Sequence, residues 1–291
     1  MIVWWVLALI SALFSGTASI LEKNALFREK ALSFSTLFAV FNLFLAIPFF
    51  FFINYSELTS LGILVVLIKS ILESVAFLCV MKGIKSMELS SALPLLVLTP
   101  GLVAVFAFIF LKESLSSLEI SGMALLLIGT YFLQLRGNQK IFDSFKSLFK
   151  SKGYIYIIIA LVTFTVTSIL DKAILKNFNV PVNAFMGFQH LFLAIIFLSL
   201  IFLTKERTEI KQTFKRTGKL IFLISIITII YRYSQLQAVK ATQVALALSI
   251  KRLSVFFAVT IGGRIFREKN LIKKIIATAI MTIGAILIIH G

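Results

Sequence analysis

Long apolar runs recur along the whole chain and restrict what it can fold into. Ten such runs are present, and hydrophobic residues make up 59% of the sequence. Most run for about 18 to 24 residues, enough for a helix rising ~1.5 Å per residue to cross a hydrocarbon core of roughly 30 Å. Soluble domains carry roughly 45 to 50% apolar residues, so the chain is not a soluble domain.

We predict an all-α, polytopic membrane protein with ten transmembrane helices. Backbone in lipid must satisfy its own hydrogen bonds, which leaves helices and closed barrels, and a barrel would show short alternating segments. The predicted spans are residues 2–21, 34–53, 61–81, 89–111, 118–135, 153–175, 183–203, 219–238, 243–264 and 272–289.

Two halves of the chain repeat one pattern. Residues 19–23 read SILEK at the end of the first run, and residues 168–172 read SILDK at the end of the sixth. A second set recurs at a constant shift of 155 residues: Lys85, Leu93, Leu98, Glu113 and Gly129 match Lys240, Leu248, Leu253, Glu268 and Gly284.

Each half holds five spans, and an odd number would invert the second half relative to the first. The predicted organisation is a first five-helix repeat at 1–135, a cytoplasmic amphipathic linker at 136–152 and a second repeat at 153–291. Inverted repeats are typical of secondary transporters, with a site between the halves that opens to either side in turn.

The positive charge is distributed unevenly between the loops. Of the 29 lysines and arginines, 21 lie in or beside one alternating set of loops, four beside the other set and four within spans. The positive-inside rule makes the richer side cytoplasmic and both termini extracytoplasmic, in the cell membrane of a prokaryote. A net charge of +17 does not indicate nucleic acid, since no soluble basic domain is present to bind it.

The linker at 136–152 has apolar residues at three- and four-residue spacing, interspersed with lysines. This pattern favours a surface helix on anionic membrane lipids, and the alternative is a solvated linker.

A family resemblance rests on motifs that occur twice. Pro94 and Pro100, Lys112-Glu113, Gly122 and Gly129 in the first half are followed by Arg267-Glu268, Ala277 and Gly284 in the second. This arrangement resembles the EamA domains of the drug/metabolite transporter superfamily. The resemblance implies a helical basket that moves small polar metabolites without nucleotide hydrolysis or a cofactor. Many members have cytoplasmic termini, so the predicted orientation departs from theirs.

Four cations and one acid lie deep inside predicted spans: Lys69 and Glu73 in the third, Arg232 in the eighth, and Lys251 and Arg252 in the ninth. A Lys or Arg at the centre of a membrane helix costs about 2.5 to 3.5 kcal/mol on insertion scales, and such residues mark substrate or ion pathways. We therefore expect these five residues to take part in a solute-binding site.

Lys69 and Glu73 are four residues apart and share a helix face, so they form either an ion pair for the fold or part of the site. Arg232, Lys251 and Arg252 are then expected to lack an intramembrane anion. A bound carboxylate, amino acid or phosphate ester would supply it, because Arg binds such groups bidentately and Lys as a point charge. A similar Lys-Arg pair occurs in the penultimate span of the superfamily's phosphate-translocating branch. The alternative is that the ninth-span cations pair with Glu73 or with backbone carbonyls.

Asn42 and His190 are further candidates, which either hydrogen-bond a solute or serve in packing. Glu73 is a candidate proton carrier, because burial disfavours a charged carboxylate. Exchange of one solute for another would need no proton carrier.

Two charged pairs at helix ends are candidate gate residues. They are Glu22-Lys23 and Asp171-Lys172, which occupy matching places in the repeat. Ordinary interfacial charges at a helix end are the alternative interpretation.

A membrane enzyme acting on a lipid-linked anionic substrate is the competing class. Its signals are missing: the sequence has no HExxH, no GxSxG, no phosphate-binding glycine-rich loop and no acidic cluster for a metal. We therefore expect neither an enzyme nor a metal or cofactor, and instead a transporter of a small solute coupled to protons or to a counter-solute.

Overall fold

A computed structural model describes residues 3–86, 98–134, 153–254, 257 and 271–291. Within these ranges the chain forms ten α-helices and no β-strand. The helices are α1 (Trp4–Leu26), α2 (Ala31–Phe50), α3 (Ser60–Ser86), α4 (Thr99–Leu111), α5 (Ser117–Gln134), α6 (Gly153–Lys176), α7 (Val182–Phe202), α8 (Ile210–Ala241), α9 (Val244–Lys251) and α10 (Leu271–His290). Short 3-10 turns at Tyr55–Glu57 and Lys205–Glu209 precede α3 and α8.

Each predicted span overlaps one of these helices, so the all-α prediction is confirmed for the described residues. In the described part of the chain, six helical segments are long and apolar enough to cross a membrane, and three shorter apolar ones lie at Thr99–Leu111, Ser117–Phe132 and Ala279–His290. The largest difference is at α8, which begins at Ile210 instead of residue 219. The predicted linker at 136–152 lies outside the described residues, as do parts of the fourth and ninth spans.

Local sequence explains several helix boundaries. Pro100 lies in the first turn of α4, where its missing N–H costs no helical hydrogen bond. Pro181 directly precedes α7. Lys112 ends α4 with φ 54°, and Asn179 has φ 51° in the α6–α7 turn. Left-handed backbone is unfavourable for L-residues, but asparagine tolerates it better than most. These positions redirect the chain between adjacent helices.

The helix contacts come in matching pairs when the first five helices are exchanged with the last five. The α1–α8 pair corresponds to α6–α3, the α2–α8 pair to α7–α3, and the α1–α9 pair to α6–α4. The α2–α7 and α5–α10 contacts map onto themselves. Such a pattern fits the two-repeat architecture predicted from the sequence. It also places α1, α3, α6 and α8 where the two halves meet.

Glycines bring α5 and α10 into backbone contact. A Cβ built on Gly284 would lie 2.6 Å from the carbonyl oxygen of Gly122, and one built on Gly122 would lie 2.7 Å from that of Gly284. Two turns along α5, a Cβ on Gly129 would lie 2.6 Å from the Met281 side chain and 3.1 Å from the carbonyl oxygen of Ala277. Small residues are what allow helices to approach this closely in lipid.

The loop between α1 and α2 is held against α8 by a buried carboxylate. Glu29 is 2% exposed and accepts hydrogen bonds from Thr213 Oγ1 at 2.7 Å and Thr217 Oγ1 at 3.1 Å. Arg216 Nη2 lies 3.4 Å from the same carboxylate. This contact ties the loop to the first turns of α8, which extend beyond the predicted span.

The equivalent contact in the other half is apolar. Gly62 of α3 corresponds to Thr217 at the shift of 155 residues. A Cβ on Gly62 would lie 2.9 Å from the Val180 side chain and 3.8 Å from Cβ of Phe178, both in the α6–α7 turn. The two halves therefore make the same loop-to-helix contact with different chemistry.

Replacing Gly284 with alanine should lower the stability of the protein by about 1 to 3 kcal/mol, since the added methyl overpacks the α5–α10 contact. The thermal unfolding midpoint in detergent measures this. Gly101→Ala is the matched control, because its Cβ would meet only Leu127 Cδ1 at an ordinary 3.6 Å. Equal midpoints for the two variants would contradict close backbone contact between α5 and α10.

Candidate functional site

Buried charges from three helices meet in a central charge cluster, defined here as Lys69, Glu73, Asp171 and Arg232. Lys69 Nζ lies 2.5 Å from Glu73 Oε2 and 3.3 Å from Asp171 Oδ1. Arg232 Nη2 donates to the same Asp171 Oδ1 at 2.8 Å. The Lys69 side chain is fully buried and that of Asp171 is 4% exposed. One carboxylate of α6 thus joins a lysine of α3 to an arginine of α8.

The expectation that Arg232 lacks an intramembrane anion is wrong. Asp171, considered from the sequence only as a helix-end charge or gate residue, is its ion-pair partner. The expected contact between Lys69 and Glu73 is present, but Lys69 also contacts Asp171. Spacing along one helix predicts an i, i+4 pair, whereas a pair between helices depends on packing that the spacing does not encode.

Helix α7 provides an aromatic and polar wall beside the central charge cluster. Arg232 Nη2 also donates to Gln189 Oε1 at 3.2 Å. The Phe185 ring centroid lies 5.4 Å from Lys69 Nζ and 5.9 Å from Arg232 Cζ, so both cations face one ring. Cation–π contacts of this kind are stronger when the groups are desolvated. Sequence reasoning missed Phe185, since one phenylalanine among 30 gives no distinguishing signal.

Two polar side chains singled out from the sequence have buried hydrogen-bonding atoms without a partner among the described residues. His190 is 3% exposed, and neither ring nitrogen has a hydrogen-bond partner among the described residues. Asn42 is 2% exposed, and its Oδ1 is likewise without a partner there. A buried polar atom without a partner costs free energy, which a solute or water can recover. Both candidates from the sequence therefore remain available for a polar ligand.

Lys251, at the end of α9, contacts only neutral groups in the described part of the chain. Its ammonium donates to Gln235 Oε1 and lies 5.1 Å from the Tyr231 ring centroid. No carboxylate of the described residues lies within ion-pair distance of it. Arg252, the next residue, is partly buried and ends the helix. The sequence prediction that Lys251 lacks an intramembrane anion thus agrees with the described geometry.

The remaining candidate gate residues have different surroundings in the two halves. Lys172 is 2% exposed, donates to the backbone carbonyls of Val239 and Thr242, and lies 3.6 Å from Glu113 Oε1. This group links α6 to the α8–α9 turn. Its repeat counterpart Lys23 is partly exposed and lies 5.8 Å from the Phe27 ring.

Glu22 and Asp171 also differ, although they occupy the same place in the repeat. Glu22 is 7% exposed, and no cation of the described residues lies within ion-pair distance of it. Asp171 has two such cations.

In the described residues no group of three or more His, Cys, Asp or Glu side chains is arranged to hold a metal ion.

Comparison with known proteins identifies the family. The model of the EamA-like transporter family matches residues 2–135 and 151–290. The chain belongs to the EamA-like transporter family. The two matched ranges coincide with the two halves of the sequence repeat, and EamA is a family of the drug/metabolite transporter superfamily, so the resemblance stated from the motifs is confirmed.

Family membership makes this EamA protein an integral membrane protein of a transporter type. A crystal structure of a protein aligns with a TM-score of 0.73 at 16% identity, covering 98% of this chain and 96% of that chain. At this identity the likeness shows the fold alone. No curated protein matches the chain.

Replacing Asp171 with asparagine should destabilise this EamA protein by about 3 to 5 kcal/mol, because it removes the anion between two buried cations. Chemical or thermal unfolding in detergent measures the loss. The control is Glu209→Gln, which removes an exposed partner of Lys30 at 2.6 Å and should change stability far less, because solvent screens an exposed ion pair. That exposed hydrogen bond raises the pKa of Lys30 above its ordinary value. If both variants lose equally little, Asp171 does not neutralise the cluster.

Proposed function

We propose that this protein is a secondary transporter that moves a small polar metabolite bearing an anionic group by alternating access. The solute is an organic carboxylate, an amino acid or a phosphate ester. The observation that carries the proposal is the partly buried ammonium of Lys251, whose described partners Gln235 and Tyr231 are neutral.

The charge balance of the interior supports an anionic solute. In the central charge cluster, Lys69 and Arg232 are compensated by Glu73 and Asp171. Lys251 lies beside this cluster, because its partners Tyr231 and Gln235 flank Arg232 along α8. A cation in low dielectric without a paired anion is costly, so a bound carboxylate or phosphate would stabilise both itself and Lys251.

The surrounding groups suit recognition of a polar solute. His190 and Asn42 have hydrogen-bonding atoms that no other described residue satisfies, and Arg252 follows Lys251 directly. An arginine binds a carboxylate or phosphate through two parallel hydrogen bonds, which adds orientation to the attraction supplied by a lysine. A neutral sugar would bring no anion into contact with Lys251.

The pairing of helices between the halves supports alternating access. The α1–α8 contact corresponds to the α6–α3 contact when the two halves are exchanged. The central charge cluster bridges α3 and α6 through Lys69 and Asp171, and Arg232 connects it to α8. In an inverted repeat, exchanging the conformations of the two halves closes one end and opens the other. Membership in a transporter family favours this reading over a membrane enzyme.

Replacing Lys251 with methionine should reduce counterflow of a labelled anion at least tenfold in proteoliposomes, since the compensating charge is lost. A panel of labelled carboxylates, amino acids and phosphate esters, with a labelled neutral sugar, identifies the transported class. Lys240→Met is the matched control: Lys240 is exposed at the end of α8, so its loss should leave counterflow near the parental rate. Parental counterflow in the Lys251 variant would contradict its role at the site.

The orientation prediction can be tested with single cysteines. In a Cys79→Ala background, Ser56→Cys lies in the exposed turn before α3 and Thr208→Cys in the exposed turn before α8. The charge bias predicts that a membrane-impermeant maleimide labels position 56 on intact cells and position 208 only after lysis. The reverse pattern would place the termini in the cytoplasm.

A further inference from the structure

Glu22 is a buried carboxylate of α1 with no ion-pair partner among the described residues. About one turn before and after it on α1, Ala18, Ala25 and Leu26 belong to an apolar cluster. The other buried members of that cluster are Ala31, Phe34, Leu37, Phe38, Met81, Ile221, Ile224 and Ile227, and Phe77 and Tyr231 pack against it. A charged carboxylate in such surroundings is stable only if a cation compensates it or a proton neutralises it.

Few charged or titratable groups face Glu22 from the neighbouring helices. Lys251 of α9 reaches the same surroundings, because its ammonium lies 5.1 Å from the ring centroid of Tyr231, which packs against the apolar cluster, and α9 is in contact with α1. The carboxylate of Glu73 on α3 is held by Lys69.

The other helices near Glu22 bring no further compensating charge among the described residues. On α1 itself, Lys23 faces the Phe27 ring. Beside α2, Lys30 is paired with Glu209 at the exposed loop. Glu22 therefore depends on Lys251, the same cation that we assign to the anionic solute.

We propose that Glu22 is the proton-binding site of this transporter and that it takes up a proton when the anion binds at Lys251. The inference rests on the proposed function. When a substrate carboxylate or phosphate compensates Lys251, Glu22 loses the cation that compensated it. A proton from water then converts its carboxylate to a carboxyl group, and the proton returns to water when the anion leaves.

The sign of this coupling identifies the mode of transport. Anion and proton each favour the binding of the other, because linkage between two sites is reciprocal. They are therefore loaded and released together, which is symport. A solute with one negative charge plus one proton moves no net charge. Glu73 is unsuited to the role, since protonating it would leave Lys69 with less compensation in the cluster.

The primary test uses proteoliposomes and the labelled solute that gives the highest counterflow in the panel above. An inward proton gradient should drive accumulation by the parent and by Glu22→Asp. Glu22→Gln, which mimics the protonated form, should lose accumulation at least tenfold while keeping counterflow. Glu57→Gln, in the exposed turn before α3, is the matched control and should behave as the parent does.

Each outcome decides between the proposals. Absence of counterflow in the parent for every panel solute would overturn the proposed function. If counterflow is present, two results overturn the role of Glu22 alone: the parent fails to respond to a proton gradient, or Glu22→Gln still accumulates solute. Loss of counterflow together with accumulation in a folded Glu22→Gln would also overturn it, because the side chain would then be needed for binding.

An infrared measurement on the parent does not depend on any variant folding. Adding the same solute at constant neutral pH should increase the absorbance of the protonated carboxyl band, because Glu22 takes up a proton. No proton should be released to the medium. We expect the apparent proton affinity to rise about tenfold, a coupling of ordinary size between two sites. An unchanged carboxyl band on saturation with the solute would overturn the inference.

Discussion

The compensation of buried charge is the constraint on which the rest of the interior depends. A single carboxylate, Asp171, contacts both Lys69 and Arg232, and through them joins α6 to α3 and α8. In lipid these cations are costly alone, whereas around one aspartate they hold three helices at fixed distances. Phe185 and Gln189 of α7 complete their surroundings. Lys251 and Glu22 lie outside this cluster, and neither has an ion-pair partner among the described residues.

Repetition in the sequence specifies the scaffold, and the differences between the repeats specify the chemistry. Glu22 and Asp171 occupy matching positions, but only Asp171 has cations within ion-pair distance among the described residues. The positions that match Lys69 and Arg232 are Ile224 and Phe77, both apolar. At each of these two cation positions only one of the two copies carries a charge, so the cluster does not follow the symmetry of the repeat. The repeated helices are suited to two equivalent conformations, whereas the charges distinguish one half from the other.

The helices could be predicted from the sequence because each is recorded in one continuous apolar run. The Lys69–Glu73 pair could be predicted because the two residues lie four positions apart on one helix. The contacts of Asp171 with Lys69 and Arg232 could not, since their sequence separations say nothing about distance across the bundle. Arg232 was accordingly expected to lack an anion. The extension of α8 to Ile210 was missed because its first turns are polar and Glu29, far away in sequence, holds them.

The two loop-to-helix contacts at the ends of the bundle differ in how they respond to temperature. Separating Glu29 from Thr213 and Thr217 exposes polar groups, whereas separating Val180 from Gly62 exposes mainly hydrocarbon. Hydration of hydrocarbon raises the heat capacity and hydration of polar groups lowers it. Breaking the two contacts therefore carries heat-capacity changes of opposite sign, so the polar contact and the apolar contact respond differently to a change of temperature.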